Sequence, residues 1–182
     1  MKIFGIDPGS DRTGYGCVER VGSRHSLVTC GSLSGHSNAT FPDKLLAIHS
    51  GLLALLREHE PQCVAVESIF YARNVRSALK LAHARGVALL AASEAGVPVV
   101  EYAPAEIKRA VVGYGRAEKH QVQQMIALLL GLEHPPSPHD VADALAVAIC
   151  HLNAASAPAI ARLHRDEARK MPRSWREYRP AR

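Results

Sequence analysis

The chain has 182 residues, enough for one domain with a substantial core, and 47% of them are hydrophobic, which excludes an intrinsically disordered protein. The formal net charge of +5 arises from position 158 onward, where eight Arg and Lys residues outnumber three acids, and the preceding part is neutral. Overall basicity is therefore weak evidence for nucleic-acid binding. We expect one domain at residues 1–157 and a basic, weakly ordered tail at residues 158–182.

The cysteines and the hydropathy exclude further classes of protein. The four cysteines lack CxxC spacing and lie in apolar segments, which is typical of buried free thiols and not of a disulfide framework or a zinc site. No segment reaches the roughly 18 apolar residues of a membrane span. The first apolar run ends too early, at Asp7, for a signal peptide. These features predict a cytoplasmic protein without membrane contact.

The first part of the chain predicts an antiparallel meander followed by a helix. Apolar segments separated by short polar turns predict three strands, at residues 2–6, 14–21 and 27–33. Leucine and isoleucine at helical spacing after Pro42 predict a helix at residues 43–59.

The remainder predicts strands that alternate with helices. Short apolar strands are expected at residues 63–68 and 97–102, and helices at residues 74–95, 104–112, 119–130 and 140–153. This order predicts a mixed α/β domain in which a five-stranded sheet is flanked by helices.

The first strand ends on a carboxylate, Asp7, which is followed by Pro8 and Gly9. A carboxylate at the end of a buried strand costs free energy unless a partner compensates its charge. Asp7 could cap the following turn, contact a nucleotide phosphate through a metal, or belong to a cluster of metal-binding carboxylates. The motif alone favours the turn.

Three further acids make a carboxylate cluster plausible. Glu67 also ends an apolar strand, although it could instead pair with Arg73. Asp140 and Asp143 are three residues apart and share one helix face. Ser137 resembles an N-cap, with Pro138 at the first helical position, and such a cap would explain Asp140 but not Asp143.

A divalent cation would compensate these four acids, for which the sequence offers no equal number of buried bases. Carboxylate oxygens favour Mg²⁺ or Mn²⁺ over zinc. Two such ions can support phosphodiester hydrolysis. His139 is a further possible ligand, although a lone loop histidine more often has no such role.

Four motifs in this order resemble one known family: GIDPGS.RTGYG, ES.F.ARN..SALKL..ARGVALLAA, VVGYGRAEK.QVQ and DVADALAVAI. Together they cover roughly residues 1–152 and resemble the RuvC family of Holliday junction resolvases. The resemblance implies a ribonuclease-H-like fold and a homodimer that makes paired, symmetric nicks in four-way DNA junctions during recombination and repair. It also implies the branch-migration proteins RuvA and RuvB as partners.

The resemblance further implies which residues act. It places the catalytic, metal-binding acids on Asp7, Glu67, Asp140 and Asp143, with two Mg²⁺ ions per site for which Mn²⁺ can substitute. The nucleophile would be a water, and the products would carry 5′-phosphate and 3′-hydroxyl ends.

The DNA contacts are expected on both sides of these acids. Phe70 could stack on an unpaired base, assisted by Tyr71, or could be an ordinary core residue. Phosphate contacts are expected from a set of basic residues. Those that follow Glu67 could equally lie on a solvated helix face, and those around the GYGRAEK loop could instead belong to a helix N-terminus with a surface Glu-Lys pair. The whole set is Arg73, Arg76, Lys80, Lys108, Arg116 and Lys119, and Arg85 shares the acid-free segment after Glu67.

Three other functions compete with junction resolution. GIDPGS also resembles the phosphate loop of sugar kinases and actin-like ATPases, but those need two related domains and the chain is too short. A nuclease of RNA–DNA hybrids is closer in class. A non-catalytic junction-binding protein is the third alternative, and it would tolerate Asp7→Asn.

Overall fold

The architecture is a five-stranded mixed sheet with helices on both faces, and it is described from a computed structural model over residues 1–36, 38–68 and 75–155. The strands are β1 (Lys2–Asp7), β2 (Thr13–Val21), β3 (Arg24–Leu33), β4 (Cys63–Glu67) and β5 (Val99–Tyr102). The helices are α1 (Phe41–His59), α2 (Val75–Glu94), α3 (Pro104–Val112), α4 (Lys119–Leu130) and α5 (His139–Ala155). The predicted fold class is thus confirmed.

The strand order is β3-β2-β1-β4-β5, which puts β1 at the centre. The first three strands form the predicted antiparallel meander, whereas β4 pairs parallel to β1, and β5 parallel to β4. The carboxyl ends of β1, β4 and β5 therefore lie at one edge of the sheet.

Side chains along the central strands point alternately to the two faces of the sheet, so the core has two layers. Ile3 and Ala65 pack on one face with residues of α3, α4 and α5. Phe4 and Val64 pack on the opposite face with α1 and α2. The middle of helix α5 is buried, as expected from its run of small and apolar side chains.

Helix α5 lies directly on the backbone of the central strands because glycines leave room for it. A Cβ atom added at Gly5 of β1 would come within 1.9 Å of the carbonyl oxygen of Ala144, and one at Gly14 of β2 within 2.1 Å of that of Asp140. No side chain fits between helix and sheet at these points.

Several element boundaries differ from the sequence-based expectation. Helix α1 begins two residues early because the Thr40 side chain accepts a hydrogen bond from the Asp43 amide, which makes Thr40 the N-cap. Strand β3 begins at Arg24, directly after a two-residue turn with Gly22 at φ 62°. Its first residues are polar, so the apolar pattern did not reveal them.

Strand β5 is shorter than expected. The amide of Val97 donates to the carbonyl of Ala92 and so completes the end of α2 instead of joining the sheet. The predicted free thiols are confirmed, with Cys17, Cys63 and Cys150 buried and Cys30 half-buried. Within the described residues, none of the helices is long and apolar enough to cross a membrane.

Candidate active site

Asp7 and Glu67 lie side by side at the carboxyl edge of the sheet. Ile6 pairs with Val66 in the parallel register, so the next residue of each strand is an acid. Alternation turns both acids toward the face that carries α5, the face on which Ile3 and Ala65 pack.

Helix α5 brings the other two acids to the same place. Gly14 is the cross-strand partner of Asp7, and a Cβ added at Gly14 would lie 2.9 Å from the Cβ of Asp140. Asp140 therefore lies directly over the β1–β2 pair, and Asp143 follows one turn later on the same helix face. Both acids are partly exposed, in contrast to the buried residues that surround them.

The pKa values of the strand acids show that the carboxylates interact. Burial, followed by the charges of Asp143, Glu67 and Asp140, raises the pKa of Asp7 to about 7. Burial and the charge of Asp143 also raise the pKa of Glu67. Acids from β1, β4 and α5 are thus close enough for their charges to act on one another.

Lys119 is the base in contact with this cluster. It opens α4, and its Nζ lies 3.4 Å from Oδ2 of Asp143. The Asp143 charge is the main cause of a raised Lys119 pKa, so the ammonium form is favoured. Lys119 also partly offsets the repulsion felt by Asp7 and Glu67.

A cavity of about 220 Å³ opens beside the acids. Glu67 and Asp143 line it on one side, and Lys108 and Lys119 contribute positive charge. Its carboxylates and ammonium groups suit a substrate that carries both anionic oxygens and bound cations.

Thr13, which the sequence-based analysis did not single out, closes the turn after Asp7. Its side chain is fully buried, and its hydroxyl donates to the carbonyl of Gly9 at 3.1 Å while it accepts from the Gly9 amide at 3.4 Å. This contact ties the Asp-Pro-Gly-Ser turn to the first residue of β2. A lone threonine between charged and glycine residues gives no sequence signal for such a role.

Arg85 lies in the basic segment that was expected to be solvated or to bind phosphates, but its side chain is turned into the protein. Its Nη1 donates to the carbonyl oxygen of Glu67 at 2.5 Å, and its Nη2 lies 2.7 Å from Oε2 of Glu101. The side chain is only 12% exposed. The pairing of Glu67 with Arg73 cannot be compared, because Arg73 lies outside the described residues.

The predicted cap of the last helix is wrong. Helix α5 begins at His139, so Pro138 precedes the helix and does not occupy its first position. The amide of Val141 donates to the carbonyl of Pro138. Asp140 consequently lies in the first turn without a Ser137 cap, and His139 is exposed.

The carboxylates do not stand in a preformed ligand arrangement. No group of three or more His, Cys, Asp or Glu residues among positions 1–36, 38–68 and 75–155 is spaced to hold a metal as it stands. The donor set nevertheless fits a hard divalent cation, because it consists of carboxylate oxygens, and burial together with the neighbouring acids raises the pKa of Asp7 to about 7.

The predicted DNA contacts fall into three groups. Lys108 and Lys119 join the acids at the cavity. Arg116 is exposed in the loop between α3 and α4, and Arg76 and Lys80 are exposed on the first turns of α2, with Lys80 Nζ 5.6 Å from the ring centre of Phe41. Three more lie outside the described residues: Phe70, Tyr71 and Arg73.

The five-stranded mixed sheet with acids at the ends of its central strands defines the class, a protein of ribonuclease-H-like fold. A sequence model of the family described as crossover junction endodeoxyribonuclease RuvC matches residues 3–151. The chain belongs to the RuvC family.

Individual relatives agree with this assignment. The protein named crossover junction endodeoxyribonuclease RuvC of Syntrophomonas wolfei is 50% identical over 84% of this chain and 89% of its own length. Thermus thermophilus RuvC in complex with a Holliday junction substrate has a TM-score of 0.78 and 35% identity, covering 85% of this chain and 95% of that one. The yeast mitochondrial Holliday junction resolvase Ydc2, at 12% identity and a TM-score of 0.58, shares the fold; 92% of this chain and 85% of that one are covered.

Proposed function

We propose that this protein is a metal-dependent endonuclease that resolves four-way DNA junctions by paired, symmetric phosphodiester hydrolysis. The observation that carries the proposal is the convergence of Asp7, Glu67, Asp140 and Asp143 at one sheet edge, with the pKa of Asp7 raised to about 7 by the burial and charge of that cluster. Membership in the RuvC family and the likeness to a relative solved with a Holliday junction support the substrate.

The four acids are proposed as ligands of two Mg²⁺ ions, for which Mn²⁺ can substitute. When bound, such ions activate a water and stabilise the leaving 3′ oxygen. The protein itself positions the ligands. Asp7 and Glu67 lie at the ends of strands, and Asp140 and Asp143 lie on helix α5, which packs directly on the strand backbone at Gly5 and Gly14. All four carboxylates therefore extend from rigid elements.

Lys119 and Lys108 are proposed to bind the scissile phosphate. Both line the cavity beside Glu67 and Asp143. Lys119 Nζ lies 3.4 Å from Asp143, so its ammonium group is held at the cavity, where it would contact a phosphate oxygen of bound DNA.

The more distant basic residues are proposed to follow the phosphate backbone. They are Arg73, Arg76, Lys80 and Arg116. Phe70, with Tyr71, is proposed to stack on a base at the junction centre. Because two symmetric cuts need two sites, we further propose a homodimer.

The wider context is proposed from the family. It comprises RuvA and RuvB as branch-migration partners, the cytoplasm as the compartment, and a nuclease domain at residues 1–157 that precedes the basic tail at residues 158–182.

Nicking of a synthetic mobile junction tests the proposal. End-labelled junction, linear duplex and RNA–DNA hybrid of matched sequence are incubated with Mg²⁺, Mn²⁺ or EDTA. Wild-type protein should cut the junction symmetrically with either ion, leave the duplex intact and do nothing in EDTA. Preference for the hybrid would move the assignment to a ribonuclease.

Carboxamide variants separate catalysis from binding. Asp7→Asn and Glu67→Gln should abolish nicking while junction binding in a gel-shift assay persists. Glu133→Gln, an exposed acid before α5, is the matched control and should cut like wild type. Undiminished cutting by Asp7→Asn would contradict the carboxylate cluster.

A further inference from the structure

Arg85 contacts the strand that carries Glu67 from the face opposite the acids. Glu101 pairs with Val66 across β4 and β5, and Val66 packs in the layer formed with α1 and α2. Glu101 therefore points toward α2, where Arg85 lies, whereas the Glu67 side chain points to the α5 face. The guanidinium thus reaches the Glu67 backbone from behind the active site.

The guanidinium joins three elements at this point. Nη1 donates to the Glu67 carbonyl at 2.5 Å, and Nη2 lies 2.7 Å from Oε2 of Glu101, so α2 is tied to the ends of both β4 and β5. The Nη2 contact is an ion pair by distance without an aligned hydrogen bond. At 12% exposure, the charge has little access to water and depends on these partners.

The bonded carbonyl belongs to the residue at which β4 ends. The following amide, Ser68, still donates to the carbonyl of Tyr102 at 2.8 Å, which fixes the strand end on its β5 side. The Arg85 bond fixes the Glu67 peptide group itself. Both contacts hold the end of β4, and its backbone directs the Cβ of Glu67 toward the α5 face.

We infer that Arg85 is a positioning residue that holds the backbone of Glu67 and so fixes the point on the sheet edge from which this carboxylate reaches a cation. The inference rests on the proposed function, because Glu67 is a metal ligand only under that proposal. Arg85 touches neither substrate nor metal and acts through Glu67. The planar guanidinium can reach a carbonyl and a carboxylate at once, which the single ammonium of lysine cannot reproduce.

Mn²⁺ titration of the full-length protein without DNA, followed by electron paramagnetic resonance of free Mn²⁺, tests the inference. Arg85→Lys keeps the charge but loses the two-point contact, and we expect its Mn²⁺ dissociation constant to rise about tenfold, at the lower end of what outer-shell substitutions cause. Arg57→Lys is the matched control, since Arg57 is 63% exposed and pairs with Glu94 at 3.5 Å, and its affinity should equal that of wild type.

Cleavage kinetics separate positioning from general destabilisation. In Arg85→Lys the Mg²⁺ concentration for half-maximal junction cleavage should rise by the same factor, and saturating Mg²⁺ should restore most of the rate. A folded Arg85→Lys protein with wild-type Mn²⁺ affinity overturns the inference, and so does a lowered rate at every Mg²⁺ concentration with an unchanged half-saturation point.

Glu101→Gln carries the test if Arg85→Lys does not fold. Glu101 is 51% exposed, so its substitution should be tolerated, and the loss of one anchor should weaken Mn²⁺ binding in the same direction but less. Unchanged Mn²⁺ affinity of Glu101→Gln in that case overturns the inference. Wild-type protein that neither binds Mn²⁺ nor cuts a junction would instead contradict the proposed function and this inference with it.

Discussion

Asp7→Asn should stabilise the metal-free protein while it abolishes cleavage. The pKa of Asp7 rises from 3.8 to about 7 because the carboxyl is buried among other acids. At 1.36 kcal/mol per pKa unit, ionised Asp7 lowers the free energy of unfolding by about 4 kcal/mol. That value is an upper limit, because water at the sheet edge screens part of the repulsion.

The sign of the pH dependence follows from the same pKa. The folded state binds the Asp7 proton more tightly than the unfolded state, so this group lowers stability progressively as the pH rises from about 4 to about 7, and by a constant amount above that. The asparagine variant lacks the titration. Its gain over wild type should therefore be largest at pH 8, up to about 4 kcal/mol, and only about 2 kcal/mol at pH 5.

Urea unfolding in EDTA at pH 5 and pH 8, at one protein concentration, measures this difference. Asp11→Asn is the control, since Asp11 lies in the loop that follows Asp7 but is exposed, and its pKa is lowered through a hydrogen bond from Lys44. It should not stabilise the protein. An Asp7→Asn gain that is absent, or equal at both pH values, would refute a pKa of Asp7 that is raised by burial beside the other acids.

Three further outcomes are expected. Lys119→Ala should slow junction cleavage about 100-fold at saturating Mg²⁺, because a cation beside Asp143 is lost, and a wild-type single-turnover rate would exclude that role. Phe70→Ala should impair cleavage of junctions more than binding of duplex, which paired gel-shift and nicking assays measure; equal effects would count against stacking. Gly14→Ala should lower the unfolding midpoint sharply, because the added Cβ would lie 2.1 Å from the Asp140 carbonyl oxygen. The control Gly86→Ala meets nothing within 4 Å and should raise the free energy of unfolding by about 0.5–1 kcal/mol. Equal midpoints of the two variants in thermal scans would contradict the close contact between α5 and the sheet.

Sequence patterns predicted most of the architecture because they report burial. The apolar segments that end on Asp7 and Glu67 are strands of one sheet, and Asp140 and Asp143 lie on one helix that covers it. The role of the four acids remains a prediction, although the pKa values of Asp7 and Glu67, which are raised by burial and then by neighbouring acids, agree with a shared site.

The sequence did not predict contacts between residues on different strands and helices. A glycine in a strand signals a close approach but not which helix approaches, so Gly14 did not reveal Asp140. Arg85 lies in a basic stretch typical of a solvated helix face, and its partner Glu67 precedes it by 18 residues on β4. Such long-range pairings depend on three-dimensional packing and leave no local periodicity.

The glycine contact between α5 and the central strands also constrains how the protein can evolve. Ordinary cores absorb a larger or smaller residue by letting a helix shift by a fraction of an ångström, and catalytic groups on that helix move with it. Here the backbone of α5 contacts strand backbone at Gly5 and Gly14, so substitutions at neighbouring core positions should leave the distances between the acids unchanged. Sequence drift in the hydrophobic interior is thereby uncoupled from the spacing of the reactive groups.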